Sequence, residues 1–109
     1  MITPHQPALT VYEAGRISVV SFNPAVPAEA IDLPQLRAEI LELVQLHNCQ
    51  DIAFDVDGVE YIPSQVFGLL ISLKKLGVNV QLYNPTQKVR ELLKVTHLNT
   101  MFQIRDLAR

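Results

Sequence analysis

The sequence has little charge, no long apolar run and a single cysteine. Each of these shortages excludes a class of protein. Only 18% of the 109 residues are charged and the formal net charge is -2, which argues against a general binder of nucleic acid. No apolar run approaches the roughly 20 residues that span a bilayer, so we expect a soluble chain without direct membrane insertion. Cys49 cannot form an internal disulfide and the first residues show no secretory pattern, so we expect a cytoplasmic location.

What the chain does contain is enough apolar sequence for one core. Hydrophobic residues make up 49% of the composition, and no low-complexity segment interrupts them. We therefore expect residues 1–109 to form one domain with its core at about residues 9–104.

Hydrophobic periodicity predicts an α/β fold with the element order β-β-α-β-α-β-α-β. Alternation over residues 9–13 and a β-branched run over 17–22 predict a hairpin. Three helices are predicted to begin at the capping residues Asp32, Ser64 and Asn84. The further strands are expected at residues 51–56, 78–83 and 101–104, with helices over 32–48, 64–76 and after 84. Since βαβ units take right-handed crossovers, the later strands should lie parallel in a mixed sheet of about five strands, covered by three or more helices.

Charge is unevenly distributed along the chain. Residues 1–60 contain nine acidic and two basic residues, whereas residues 61–109 contain seven basic and two acidic ones. The molecule is therefore expected to be dipolar, which can steer a charged protein partner.

The candidates for catalytic chemistry do not form a set. The Asp55-Val56-Asp57-Gly58 stretch follows a predicted strand and resembles the nucleophile motif of haloacid dehalogenase-type phosphatases, but the remaining chain supplies no late acidic pair for magnesium. Cys49 has no partner motif. The histidines are scattered, at His5, His47 and His97. We expect no enzyme activity, no catalytic residue, no metal site and no cofactor.

The helix over residues 64–76 is the most informative element. Five of its apolar residues fall within an arc of about 120°, enough to pack on the sheet: Val66, Leu69, Leu70, Leu73 and Leu76. Phe67 and Ile71 lie on a flank beside Lys74, with Lys75 and Gly68 behind them. This flank is either an exposed apolar strip edged with positive charge, which is typical of a protein interface, or a surface covered by a neighbouring helix.

Ser64 is expected to cap this helix with its hydroxyl. A phosphate at the same position would be tolerated by the helix dipole and the free backbone amides. It would add up to about two negative charges beside the apolar strip and repel an acidic partner.

With these elements in order, residues 9–104 resemble a STAS domain, the family of anti-sigma factor antagonists. The most specific stretch is residues 55–68, DVDGVEYIPSQVFG, and later similarity covers residues 77–85 and 92–99. The positions that match the family motif are Asp55, Gly58, Val59, Ile62, Ser64 and Gly68. Three positions depart from it, since Pro63 stands in place of an aspartate, Gln65 in place of a second serine and Val66 in place of a glycine.

The resemblance implies a binding switch. Members of the family bind an anti-sigma factor, often a serine kinase, and phosphorylation of the motif serine ends the complex, so the resemblance makes Ser64 the phosphoacceptor candidate. The expected partner-binding residues are Pro63, Ser64, Gln65, Phe67, Gly68, Ile71, Lys74 and Lys75. The alternative is an unphosphorylated STAS scaffold or subunit of a stress-signalling or lipid-transport complex. Nucleotide binding and the oligomeric state stay open.

Overall fold

Five strands form one sheet in which the spatial order of the strands repeats their order along the chain. The computed structural model describes residues 6–107. Its strands are β1 (Leu9–Glu13), β2 (Ile17–Phe22), β3 (Asp51–Asp55), β4 (Asn79–Tyr83) and β5 (Gln103–Arg105). β1 pairs with β2 in antiparallel fashion, and each later strand runs parallel to the strand before it. The predicted hairpin and the predicted mixed sheet are therefore confirmed.

Three α-helices connect the parallel strands. They are α1 (Leu33–His47), α2 (Ser64–Lys75) and α3 (Gln87–Val95). A short 3₁₀ helix at Ala28–Ala30 precedes α1, and another at Leu98–Thr100 follows α3. The predicted element order is confirmed, and the two 3₁₀ helices fall in segments too short to show a helical period. None of the helices within residues 6–107 is long and apolar enough to cross a membrane.

The three helices cover one face of the sheet. All three crossovers step in the same direction, and right-handed connections then place their helices on the same side. On that side Val20, Phe54 and Leu82 stand opposite one another on neighbouring strands, and all three are fully buried. On the other side Ile17 is 57% exposed and Gln81 is partly exposed. The hydrophobic core thus lies between the helices and one sheet face.

The start of α1 confirms the predicted cap. The Asp32 carboxylate accepts a hydrogen bond from the Gln35 backbone N–H at 3.1 Å. The Gln35 side-chain amide donates to the Gln6 carbonyl and to Glu39 at 2.7 and 2.9 Å. The helix ends at Asn48, which adopts a left-handed conformation with φ of 48°.

The predicted caps at Ser64 and Asn84 are wrong. Thr86 caps α3 instead, since its hydroxyl accepts from the Val89 N–H at 3.3 Å. Asn84 is occupied elsewhere, because its backbone N–H donates to the Arg105 carbonyl at 2.8 Å and its side chain accepts from the Leu107 N–H at 2.6 Å. Asn84 therefore joins the end of β4 to the residues around β5.

The order of the strands separates the two charged parts of the sequence in space. The acidic residues 1–60 supply β1, β2, β3 and α1, and the basic residues 61–109 supply the other two strands and helices. Because the order of the strands in the sheet equals their order in the sequence, the described acidic and basic residues lie toward opposite edges of the sheet. This arrangement supports the predicted dipole.

Candidate functional site

Ser64 is the first residue of α2 and lies at the protein surface. Pro63 occupies the capping position in extended backbone geometry and has no side-chain hydrogen bond to the helix. Ser64 is thus the first helical residue and not the predicted capping residue. No described residue makes a hydrogen bond to its hydroxyl. The hydroxyl is exposed beside the free N–H groups of the first turn.

The loop of residues 56–63 carries the chain from the buried strand β3 to Ser64. A turn closes its first part, where the Val59 N–H donates to the Val56 carbonyl at 3.0 Å and Gly58 adopts φ of 75°. The side chain of Ile62 then anchors the loop in the core with 2% exposure. Ser64 is therefore presented at the carboxyl end of the parallel strands, where α/β proteins place their ligands.

Two clefts border the start of α2. The larger has a volume of about 410 Å³ and lies between the loop that precedes α1 and residues 57–63. The smaller, of about 330 Å³, lies between the start of α1 and the first turn of α2. Tyr61 and Pro63 line both clefts, and the Tyr61 side chain is 62% exposed. We call this region, made of the two clefts, Tyr61, Pro63 and Ser64, the serine site.

The sequence did not single out the two tyrosines of the serine site. Tyr12 lines the larger cleft from β1 and is 65% exposed, and its hydroxyl accepts a hydrogen bond from Ser21 at 3.2 Å. Tyr61 lies three residues before Ser64, so its nearness to the motif was a usable signal. Tyr12 is distant in sequence, and its approach depends on the bulge between Val11 and Glu13 in the β1–β2 ladder.

Most of the predicted partner-binding residues lie along the exposed side of α2. Gln65, Gly68, Lys74 and Lys75 are exposed, and Ile71 is partly buried. The Lys74 ammonium group also donates to the Met101 carbonyl at 2.5 Å. The outer side of α2 therefore runs from a hydroxyl at its start to two cations at its end.

Of the two alternatives for the flank of α2, the covered one holds at Phe67, and the prediction that Leu76 lies on the core side is wrong. Phe67 is only 4% exposed, because its ring packs against Phe102 with a centroid distance of 6.5 Å. Leu76, predicted to lie on the core side, follows the last helical residue and is 66% exposed. A partner that approaches along α2 thus meets mainly polar and small side chains.

Gly68 lies in the middle of α2 without a packing reason for a glycine. A Cβ atom built at this position meets no heavy atom within 4 Å, and the backbone is not in the left-handed region. A helix interior is ordinarily destabilised by glycine relative to alanine. The position leaves a gap in the side-chain cover of the exposed side of α2.

The remaining candidates do not come together. The Asp57 N–H donates to the Asp55 carboxylate at 3.1 Å, which is the geometry of a turn. His47 and His97 lie at separate helix ends, and Cys49 is buried with its thiol directed to the Asp51 carbonyl at 3.2 Å. Among residues 6–107 no group of three or more potential metal ligands occurs. His5 lies outside the described residues.

The chain matches the sequence profile of a known protein family. A profile of the STAS domain matches residues 8–107. No curated protein matches the chain by sequence.

Three solved structures share the fold. The anti-sigma factor antagonist SpoIIAA in its unphosphorylated form has a TM-score of 0.71 at 19% identity, over 94% of this chain and 90% of that chain. The protein TM1081, solved by NMR, has a TM-score of 0.71 at 19% identity over 97% and 85%. The Bacillus cell fate determinant SpoIIAA in its phosphorylated form has a TM-score of 0.65 at 18% identity over 94% and 93%. At these identities the likeness concerns the fold.

Proposed function

The chain is a member of the STAS domain family, and from that premise we propose that it is a non-enzymatic regulatory protein that antagonises an anti-sigma factor. In this proposal the unphosphorylated chain binds an anti-sigma factor that is also a serine kinase, and a phosphate on Ser64 ends the binding. The activity belongs to transcription regulation in the bacterial cytoplasm. In this proposal residues 1–109 belong to one STAS domain whose core spans about residues 9–104.

The observation that carries the proposal is the exposed hydroxyl of Ser64. It lies at the first residue of α2, outside the hydrogen bonds of the described residues, and the preceding Pro63 lines two clefts. A kinase needs a hydroxyl that is accessible and not used by the fold. That SpoIIAA, which shares this fold, has been solved in unphosphorylated and phosphorylated forms also supports the proposal.

A phosphate at this position changes the surface without breaking the helix. The free N–H groups and the dipole at the start of α2 favour an anion there. The phosphate adds up to about two negative charges to the surface that contacts the partner. Lys74 and Lys75 at the far end of α2 favour a partner with acidic groups, and such a partner is repelled by the added charge.

Gly68 supports binding along the exposed side of α2. The glycine reduces helix stability in the free protein, and the space left by the missing side chain allows a partner backbone to approach the helix closely. Gln65, next to Ser64, and Gly68, one turn after it, would then lie within the interface.

One observation favours the alternative, an unphosphorylated scaffold or subunit. Pro63 occupies the position of the family's aspartate, and a proline has neither a carboxylate nor a backbone N–H with which to orient the neighbouring hydroxyl or a kinase. In that case Ser64 contacts a partner permanently and the complex is not switched.

The first test is phosphosite mapping by mass spectrometry on the protein isolated from its own cells, during growth and under stress. The switch requires phosphate on Ser64 whose occupancy changes with the condition. Unmodified Ser64 in every condition would count against the switch and for the scaffold.

The second test is a binding titration with a serine-kinase anti-sigma factor from the same organism. We expect S64E to weaken the complex at least tenfold and S64A to leave it intact, because only the first adds charge at the start of α2. Gln45→Glu adds the same charge at an exposed position of α1 and is the matched control. Equal affinities of the S64E variant and the unaltered protein would contradict the proposal.

A further inference from the structure

One hydroxyl group connects the start of α3 to the loop that leads to Ser64. The Thr86 hydroxyl donates a hydrogen bond to the Val59 carbonyl at 2.9 Å and accepts one from the Val89 N–H at 3.3 Å. Val59 lies five residues before Ser64, and Thr86 lies 27 residues after Val59 in the chain. The same side chain therefore caps a helix and fixes the loop.

Other contacts hold the two ends of this loop. At its beginning the Val56 N–H donates to the Tyr83 carbonyl at 3.0 Å, and near its end Ile62 is buried in the core. Between them an ion pair joins Glu60 to Lys88 of α3 at 3.5 Å. Both of its side chains are largely exposed, so this pair contributes little. The Thr86 hydroxyl thus provides a hydrogen bond from the start of α3 to the loop backbone five residues before Ser64.

We propose that Thr86 is a positioning residue of the serine site, which couples the first turn of α3 to the loop that presents Ser64. While the hydrogen bond to Val59 is formed, Tyr61 and Pro63 are held in the geometry that shapes the two clefts. The importance of the loop for binding rests on the proposed function, whereas the positioning itself is a property of the free protein.

Three substitutions separate the two hydrogen bonds of Thr86. Thr86→Ser keeps a hydroxyl that can both donate and accept. Thr86→Val is similar in shape and loses both bonds. Thr86→Asp keeps the cap, because a carboxylate accepts well from the Val89 N–H, but it has no proton to donate to the Val59 carbonyl.

The first measurement is limited cleavage of the native protein by chymotrypsin, with the products identified by mass spectrometry. Loss of one hydrogen bond raises the open population of the loop by about fivefold, so T86D should be cut after Tyr61 about five times faster than the unaltered protein. T86S should be cut at the unaltered rate. Cleavage after Tyr12, which is exposed on β1, is the internal control and should not change.

Global unfolding in urea distinguishes positioning from a purely structural role. T86D should lose only the contribution of the Val59 hydrogen bond because its cap is kept, while T86V should be less stable than T86D because it loses both bonds. Lys88→Gln removes the exposed ion pair and should leave cleavage after Tyr61 nearly unchanged. If only T86V is cut faster, Thr86 is simply a helix cap and the proposal is overturned.

The partner arm uses the anti-sigma factor of the proposed function. Weaker binding by T86D, restored in T86S, supports the positioning role. Faster cleavage of T86D with unchanged affinity overturns the link between this loop and partner binding, while the positioning of the loop by Thr86 stands. If the unaltered protein binds no anti-sigma factor, the proposed function fails, while the cleavage experiment still decides whether Thr86 holds the loop.

Discussion

The three helices begin in different ways, and the difference marks the serine site. α1 and α3 begin at residues whose side chains accept a backbone N–H, Asp32 and Thr86. α2 begins at Pro63, which cannot do so, and the hydroxyl of the following Ser64 faces solvent. The two α-helices that begin outside the serine site are thus the ones with a side-chain cap.

At α2 packing takes over the role of the cap. Five residues of its 12 are buried against the sheet and its neighbours: Val66, Phe67, Leu69, Leu70 and Leu73. The fold therefore does not need the Ser64 hydroxyl, which stays available for a partner or a kinase. Under the proposed function, the local capping rule is relaxed at the residue that carries the phosphate.

The largest expected effect tests whether packing holds α2. Leu70 is 1% exposed, and Leu70→Ala should reduce the free energy of unfolding by about 2–5 kcal/mol through lost burial and a residual cavity. Urea denaturation followed by circular dichroism measures it. Lys75→Ala on the exposed side is the control and should change stability by less than about 0.5 kcal/mol. A loss below about 1 kcal/mol for L70A would mean that α2 is not held in this way.

The middle effect tests the contrast between the helix starts directly. Asp32→Ala removes the carboxylate that accepts from Gln35 and should cost about 1 kcal/mol of unfolding free energy. Ser64→Ala should cost less than about 0.5 kcal/mol because its hydroxyl makes no capping bond. Equal losses for the two variants, measured under the same denaturation conditions, would remove the distinction.

The smallest effect concerns Gly68. Gly68→Ala should stabilise the free protein by about 0.5–1 kcal/mol, because an open helix position gains helix propensity, and should weaken the complex with the anti-sigma factor. Gly77→Ala is the informative control and should destabilise, since Gly77 has a φ of 90°. A G68A variant that is no more stable than the unaltered protein would show that the glycine has a structural reason.

Local sequence patterns predicted the elements well and the helix starts less well. The pattern at Asp32 is decisive because acceptor, proline and periodic apolar residues all agree on one start. At residues 84–87 two capping residues compete, and the sequence favours Asn84 because a proline follows it. In the structure Asn84 is taken by Arg105 and Leu107, which lie more than 20 residues away. A contact between residues so far apart in the sequence cannot be predicted from a local sequence pattern.

The serine site was predictable only where a single element carries it. The residues of α2 could be arranged on a helical wheel, which placed Phe67 and Ile71 beside Lys74, with Lys75 and Gly68 behind them. The wheel could not show that Phe102 covers Phe67, or that Thr86 and Tyr12 approach the loop, because these neighbours come from other elements. The contacts that join elements depend on the tertiary fold.

The strand order described above also bears on how the chain folds. Each strand after β1 pairs with the strand that precedes it in the sequence, so every ladder closes over one turn or one helix. Loops of this size close at little entropic cost, and a fold built from such near-neighbour pairings reaches its native state quickly for a parallel sheet. The sheet can grow at one edge as the chain leaves the ribosome, from β1 to β5, without waiting for a distant strand.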